Sequence, residues 1–315
     1  MRQMWLQDPS TNKVWNLLPE NPYDIENGCP FISIKGMGYE QDITQKQVEV
    51  DYFISEISSK NKAVSGVLYF YGTEHVKKFC AFIGDFRKQF KLFYSPNGEY
   101  KPYDPISPIF YKYVTISAID KTELNQYGWY ECSTTFTTQS DVWKRDISYS
   151  IEGVPSVGDP LVYPYHYDDS EYIFGGRAIY SIEVNNEGRE TGCIVSITNN
   201  GETPLTEVEW FIENTYKDAF GNDQTTIQRS KWFTQEDKLT LYEGYTLIVN
   251  SNPTTQEAKV VFTDGTSQSV VSLQEPSWDY INFVTVKNGV NRIVFYVDNP
   301  DVKIDFSYSE QKELI

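Results

Sequence analysis

The sequence predicts a mainly β protein of two domains, with a single α-helix in the first. Three observations predict it. Short segments rich in β-branched and aromatic residues recur along the 315 residues. One stretch alone carries an apolar period near 3.6. Charge divides the chain close to residue 146.

Residues 48–54, 63–70, 112–119 and 129–136 are aromatic and β-branched, with partial alternation, and read as strands. Between them, Thr73 can cap a helix running to about Gln89. Its apolar positions are Val76, Phe79, Cys80, Ile83, Phe86 and Phe90, which fall on one stripe. Lys77, Lys78, Asp85 and Lys88 fall largely off it, so the stripe is expected to pack on a sheet. Gly84 weakens the helix locally. Residues 141–145 close the first half, and the Gly- and Pro-rich residues 152–160 read as a connection.

The second half gives short strands at sandwich-like spacing: 178–184, 193–198, 207–212, 246–250, 259–262, 280–286 and 292–297, with a last one at 303–308. Thr263, Asp264, Gly265 and Thr266 signal a tight hairpin. Residues 200–241 are longer and more irregular than a simple hairpin and read as a variable insertion. The expected domains are residues 1–147 and 148–315.

Residues 1–145 hold 17 acidic and 16 basic side chains, and residues 146–315 hold 27 and 11. Nearly all of the net charge of −17 therefore sits in the second half. A near-neutral first half can pack against copies of itself. An acidic second half is a poor partner for nucleic acid, because phosphate binding needs Lys and Arg. No apolar run approaches the ~20 residues of a membrane span, and no signal-peptide core is seen, so a soluble chain is expected. Cys29, Cys80, Cys132 and Cys193 form no paired motif and read as free core thiols. The 24 Tyr and 18 Phe suit either an oligomer interface or β cores.

Catalytic chemistry is poorly supplied. The two histidines, His75 and His166, have no metal-ligand spacing and no nucleophile motif beside them. Phosphate-cradling glycine loops are absent. No cofactor, metal site or catalytic residue is expected, and the chain is not expected to be an enzyme. Asp168, Asp169 and Glu171 could serve as paired carboxylates, but 44 acidic residues produce such neighbours by chance. Tyr163, Tyr165, Tyr172 and Trp232, near acidic residues, are candidates for stacking on sugar rings. They carry an alternative reading, a carbohydrate-binding adhesin or receptor-binding module.

The order of features in residues 63–145 resembles the N-terminal domain of siphophage and prophage distal tail proteins. The matching features are the strand ending in Val67, Leu68, Tyr69 and Phe70, the helix with Phe79 and Phe82, and residues 91–97. Residues 111–116, Asp120 to Glu123 and the strand reaching Trp143 follow in order. In the second half, residues 247–251, 258–262 and 287–293 resemble that family's galectin-like β-sandwich. The resemblance implies an N-terminal split-barrel or sandwich domain with one helix, then a galectin-like sandwich. It also implies a baseplate protein at the virion tail tip, assembled in the bacterial cytoplasm. Its expected partners are five further copies in a hexameric ring, the major tail protein, a tail-associated hub or lysin protein, and peripheral receptor-binding proteins or a host cell-wall saccharide. Family members often clasp the neighbouring subunit with a hairpin arm, for which residues 38–47 are the candidate here.

Overall fold

A computed structural model describes residues 2–23, 25–38, 40–48, 51–59, 62–96, 109–152, 178–217, 221–233, 240–298 and 300–315. The chain divides into two compact units. The first is Met1–Arg145 with Gln311–Ile315, and the second is Asp146–Glu310.

The first unit contains β1 (Gln3–Gln7), β2 (Val14–Asn16), β3 (Phe31–Lys35), β4 (Gln41–Val48), β5 (Asp51–Ser59) and β6 (Val64–Tyr71). Then come α1 (Gly72–Ile83), β7 (Gln89–Ser95), β8 (Phe110–Lys121), β9 (Trp129–Thr138) and the start of β10 (Trp143–Glu152). The antiparallel order is β3-β6-β9-β8-β7-β1-β2. The two ends of this sheet meet: Phe31 N–H donates to the Leu17 carbonyl and Cys29 N–H to the Asn16 carbonyl, at 2.8 and 2.9 Å. The sheet thus curls onto itself around a core of Met4, Leu6, Phe31, Leu68, Phe90 and Phe136. Closure removes the exposed edges that an open sheet would leave.

The helix α1 lies against this barrel through His75, Phe79 and Ile83, one residue per turn. It ends earlier than the apolar period suggests. Gly84 adopts φ +66° and its N–H closes on the Cys80 carbonyl at 2.8 Å, a glycine stop. Phe90 therefore belongs to β7, and Phe86 is exposed. Thr73 supplies no capping bond; Tyr71 occupies the cap position. Cys80 is exposed on the helix, while Cys29, Cys132 and Cys193 are buried free thiols. The expectation of four core thiols fails at Cys80, because the buried face runs through His75 instead.

The second unit is a two-sheet sandwich. Its strands are β11 (Ala178–Asn186), β12 (Thr191–Asn199), β13 (Val208–Lys217), β14 (Asp223–Trp232) and β15 (Thr246–Asn250). They continue with β16 (Glu257–Val261), β17 (Ser267–Ser269), β18 (Thr285–Val286), β19 (Gly289–Val297) and β20 (Val302–Lys312). One sheet runs β11-β19-β13-β14. The other runs β17-β16-β15-β12-β20, with residues 146–152 of β10 beside β20. Alternation decides which side chains point inward. From one sheet come Val195, Ile197, Val249, Ile304 and Phe306; from the other come Ile182, Ile212, Ile293, Phe295 and Trp210.

Two sequence expectations change here. Within residues 200–241, read as an irregular insertion, β13 and β14 form a regular hairpin that pairs from Val208↔Trp232 to Lys217↔Asp223. The hairpin they form supplies Trp210 and Trp232, whose rings stack at 6.5 Å and 16° in the core. Residues 280–286 are mostly loop, and only Thr285–Val286 pairs as strand. Mainly β structure with one helix in the first unit agrees with the fold class that the sequence predicts. Among the described residues, no helix is long and apolar enough to cross a membrane.

The Trp210–Trp232 stack predicts a stability result. Trp232→Ala removes a fully buried indole and should cost about 3–5 kcal/mol, whereas Trp278→Ala, at a side chain 93% exposed, should change stability by less than about 0.5 kcal/mol. Urea denaturation followed by far-UV circular dichroism checks both.

Candidate interaction surfaces

The strands β4 and β5 form a two-stranded sheet of their own. They pair from Gln41↔Ser59 to Val48↔Asp51, with a register shift after Thr44. Eight residues of strand give a ribbon of roughly 26 Å. A two-stranded ribbon alone is marginal in water. Ile43 and Ile54 are 49% and 55% exposed on it, an apolar presentation that suits burial against something else. The arm candidate at residues 38–47 covers only the outgoing strand. The returning strand includes residues 51–54, whose aromatic and β-branched composition imitates a core strand.

A second surface of the first unit is aromatic. Tyr23, Tyr71 and Trp129 meet pairwise at 5.3–5.5 Å, and Tyr69 reaches Trp129 at 6.4 Å. The turn that places them is fixed by Asn125, whose Oδ1 accepts the N–H groups of Tyr127 and Trp129, both at 3.0 Å. Gly128 stands at φ +83°, a conformation that a side chain resists, and its carbonyl accepts Gly72 N–H at 3.0 Å. Tyr23, Tyr71 and Tyr127 remain exposed. Rings that bury one face and keep a hydroxyl in water are common at protein interfaces.

His75 is committed to structure. Its Nδ1 accepts Tyr71 N–H at 3.0 Å, so Nε2 carries the proton and donates to the Gly28 carbonyl at 2.6 Å. The ring ties helix α1 to the segment that closes the barrel. Both ring nitrogens are committed to these two bonds.

Comparison with known proteins bears on the first unit directly. Residues 5–139 match the model of the distal tail protein N-terminal domain. The first unit belongs to the distal tail protein family of phages. Over the whole chain, the crystal structure of the SPP1 Dit protein (gp 19.1), a hub of the adsorption apparatus in phages infecting Gram-positive bacteria, is similar in fold. Its TM-score is 0.54 at 11% identity, covering 99% of both chains. A chain of the phage P2 baseplate in its activated, calcium-bound conformation aligns with TM-score 0.50 and 13% identity, covering 100% of both. At these identities the structural likeness shows the fold. No curated protein matches the chain. Distal tail proteins are structural parts of the phage tail, and residues 5–139 of this chain match their N-terminal domain.

Of the sugar-contact candidates of the sequence, Trp232 alone lies among the described residues. Trp232 is fully buried: it stacks on Trp210, and its Nε1–H donates to Ser230 Oγ at 2.8 Å. An indole enclosed on both faces cannot stack on a sugar, so Trp232 leaves the candidate set. Tyr163, Tyr165, Tyr172, His166, Asp168, Asp169 and Glu171 lie outside the described residues. Among the described residues, no three His, Cys, Asp or Glu side chains gather as a metal site.

The distal tail domain also buries a lysine. Lys112, on β8, is only 2% exposed. Its ammonium donates to the Asp141 carbonyl at 3.1 Å and lies 5.1 Å from the centre of the Trp143 ring. Burial pushes it down from 10.5 to about 8, against the opposing pull of Asp141. The lysine pins residues 141–143 at the end of the domain.

The pH dependence follows in sign. Between about pH 8 and 10.5 the unfolded chain binds more protons at this lysine than the folded chain does. Folding at this site is therefore favoured as pH rises through that window. Measured by urea denaturation, the stability of the native protein relative to Lys112→Met should increase from pH 8 to pH 10. A constant difference would show that Lys112 titrates normally.

Proposed function

We propose that the chain is the ring subunit joining the phage tail tube to the baseplate. The first units pack side by side in a hexamer, stacking on the last ring of major tail protein and meeting the tail-associated hub or lysin protein on the other side. The second units face outward and hold peripheral adhesion proteins. The role is architectural rather than enzymatic.

The match of residues 5–139 to the distal tail domain carries this reading. The geometry supports it in two ways. The ribbon of β4 and β5 offers exposed isoleucines for a neighbouring copy to cover, and the rings around Trp129 offer an aromatic surface. Charge supports it too, since the near-neutral first half meets its own copies without long-range repulsion.

Light-scattering chromatography tests the assembly. The expected species has a mass near six times 36.5 kDa at high concentration. The double variant Ile43→Asp, Ile54→Asp should shift the protein to smaller species while its circular dichroism is retained. A native protein that stays monomeric at every concentration would sink the stable-ring reading.

A further inference from the structure

The sheet β11-β19-β13-β14 ends on β14, which pairs with β13 alone among the described residues. In an antiparallel strand the N–H and C=O of one residue point to the same side, and successive residues alternate. On β14 the outward side belongs to the odd-numbered residues: the Arg229 carbonyl accepts Ile281 N–H and the Lys231 carbonyl accepts Glu275 N–H, both at 2.9 Å. These bonds lay the loop of residues 275–283 along one half of the edge. Asn282, at φ +63°, clamps it there. Its Oδ1 accepts Lys231 N–H at 3.1 Å, its Nδ2 donates to the Glu275 carbonyl at 2.8 Å, and its own carbonyl accepts Ser230 Oγ–H at 2.7 Å.

The other half of the edge is open. The outward N–H and C=O groups of Thr225 and Ile227 have no partner among the described residues. Sheet edges are commonly blunted by proline, lysine or a bulge. Gln224, Thr225, Thr226, Ile227 and Gln228 supply none of these, and they pair with β13 without a register shift. Apolar side chains stand beside them: Ile227 is 51% exposed, Ile281 57% and Trp278 93%. A groove lined by Ile227, Arg229, Asp279 and Tyr280 lies between the strand and the loop. An open ladder beside exposed apolar groups is a template for one more strand.

We propose that the open half of β14 binds an extended, basic segment of another tail-tip protein, which joins this sheet as a further strand. The inference rests on the reading of the second unit as the outward one that holds other proteins, and it says where and how a partner is held. The unpaired backbone groups specify the partner's conformation, because only an extended chain presents N–H and C=O groups at the spacing of a ladder. Alternate side chains of that segment enter the groove beside Ile227, so a segment with apolar residues at every second position fits. Charge selects among such segments. The second half carries 27 acidic against 11 basic residues, which attracts a cationic segment and repels an anionic one. The same repulsion opposes the pairing of β14 with β14 of a second copy.

The test titrates the full chain with overlapping labelled peptides that cover the other proteins of the same phage tail tip, read by fluorescence anisotropy. Residue-resolved amide hydrogen exchange is measured with and without each binder. At least one basic, alternating segment should bind and should slow exchange at the amides of Thr225 and Ile227. Ile227→Pro removes an edge donor and should weaken binding about tenfold or more. Ile227→Lys, a charge at an exposed position that leaves the fold intact, should weaken it comparably. Ile194→Lys, on the other sheet of the sandwich, should leave it unchanged. Circular dichroism checks that the variants fold. No binding by any peptide overturns the site, as does binding that survives both Ile227 variants or leaves the two amides exchanging freely. Protection of those amides in the chain alone as its concentration rises would put a second copy on the edge and overturn it equally. If an intact tail-tip protein binds while both amides exchange as before, the outward, holding role of the second unit stands and the strand site falls.

Discussion

Strand alternation governs this molecule. Every second side chain must be apolar where a sheet covers a core, and a slip of one residue would turn the whole set to water. In the second unit the rule holds across whole rungs. Cys193, Val195 and Ile197 of β12 face the core beside Tyr308, Phe306 and Ile304 of β20. On the opposite sheet, Tyr180, Phe295 and Trp210 form one inward rung. With so many positions bound to one register, the strands can shift only together. In the first unit the same alternation, carried round a closed barrel, leaves one face for helix α1.

A sandwich built this way has a difficulty at its ends, where loops turn and buried backbone groups lose their ladder partners. Buried asparagines resolve it. Asn186 bonds the Arg189 and Val286 carbonyls, Asn199 bonds those of Thr203 and Leu241, and Asn291 bonds those of Lys287 and Gly289. Each side chain replaces two strand partners with amide bonds. Asn282 belongs to this set, and its clamp is what holds the Trp278 loop in one conformation. Rigidity at that loop is thus a by-product of satisfying the edge of β14.

Much of the fold was legible in the sequence because it follows from alternation. Residues 246–250 read as a strand and are β15 with the same limits. The segments that escaped are those where the pattern and the environment part company. In β14 the inward positions include Gln228 and Ser230, both polar and both hydrogen-bonded, so no apolar period marks it. In β5 the β-like composition serves a ribbon that pairs with one strand only. The helix period ran on through Phe86 and Phe90 because a single glycine, not a change of pattern, stops α1. Trp232 and Trp278 show the limit most plainly. Both are tryptophans near acidic residues, one enclosed and the other in water, and only the register of β14 and the turn at Asn282 separate them.

The aromatic excess divides along the same physical line. Composition alone left open whether the rings serve cores or interfaces. Phenylalanine goes inside, as at Phe31, Phe70, Phe79, Phe136, Phe295 and Phe306. The exposed rings are mainly tyrosines, among them Tyr23, Tyr71, Tyr127 and Tyr242. A tyrosine at a surface keeps its hydroxyl hydrated until a partner arrives, so it tolerates both the free and the bound state. The first half places that property on a background of balanced charge, 17 acidic against 16 basic residues, where net Coulomb repulsion between copies is small. The second half places its exposed indole among many carboxylates, whose mutual repulsion acts over about 8–10 Å at ordinary salt. Long-range repulsion between like surfaces is therefore weak for the first half and strong for the second, which also repels other anions.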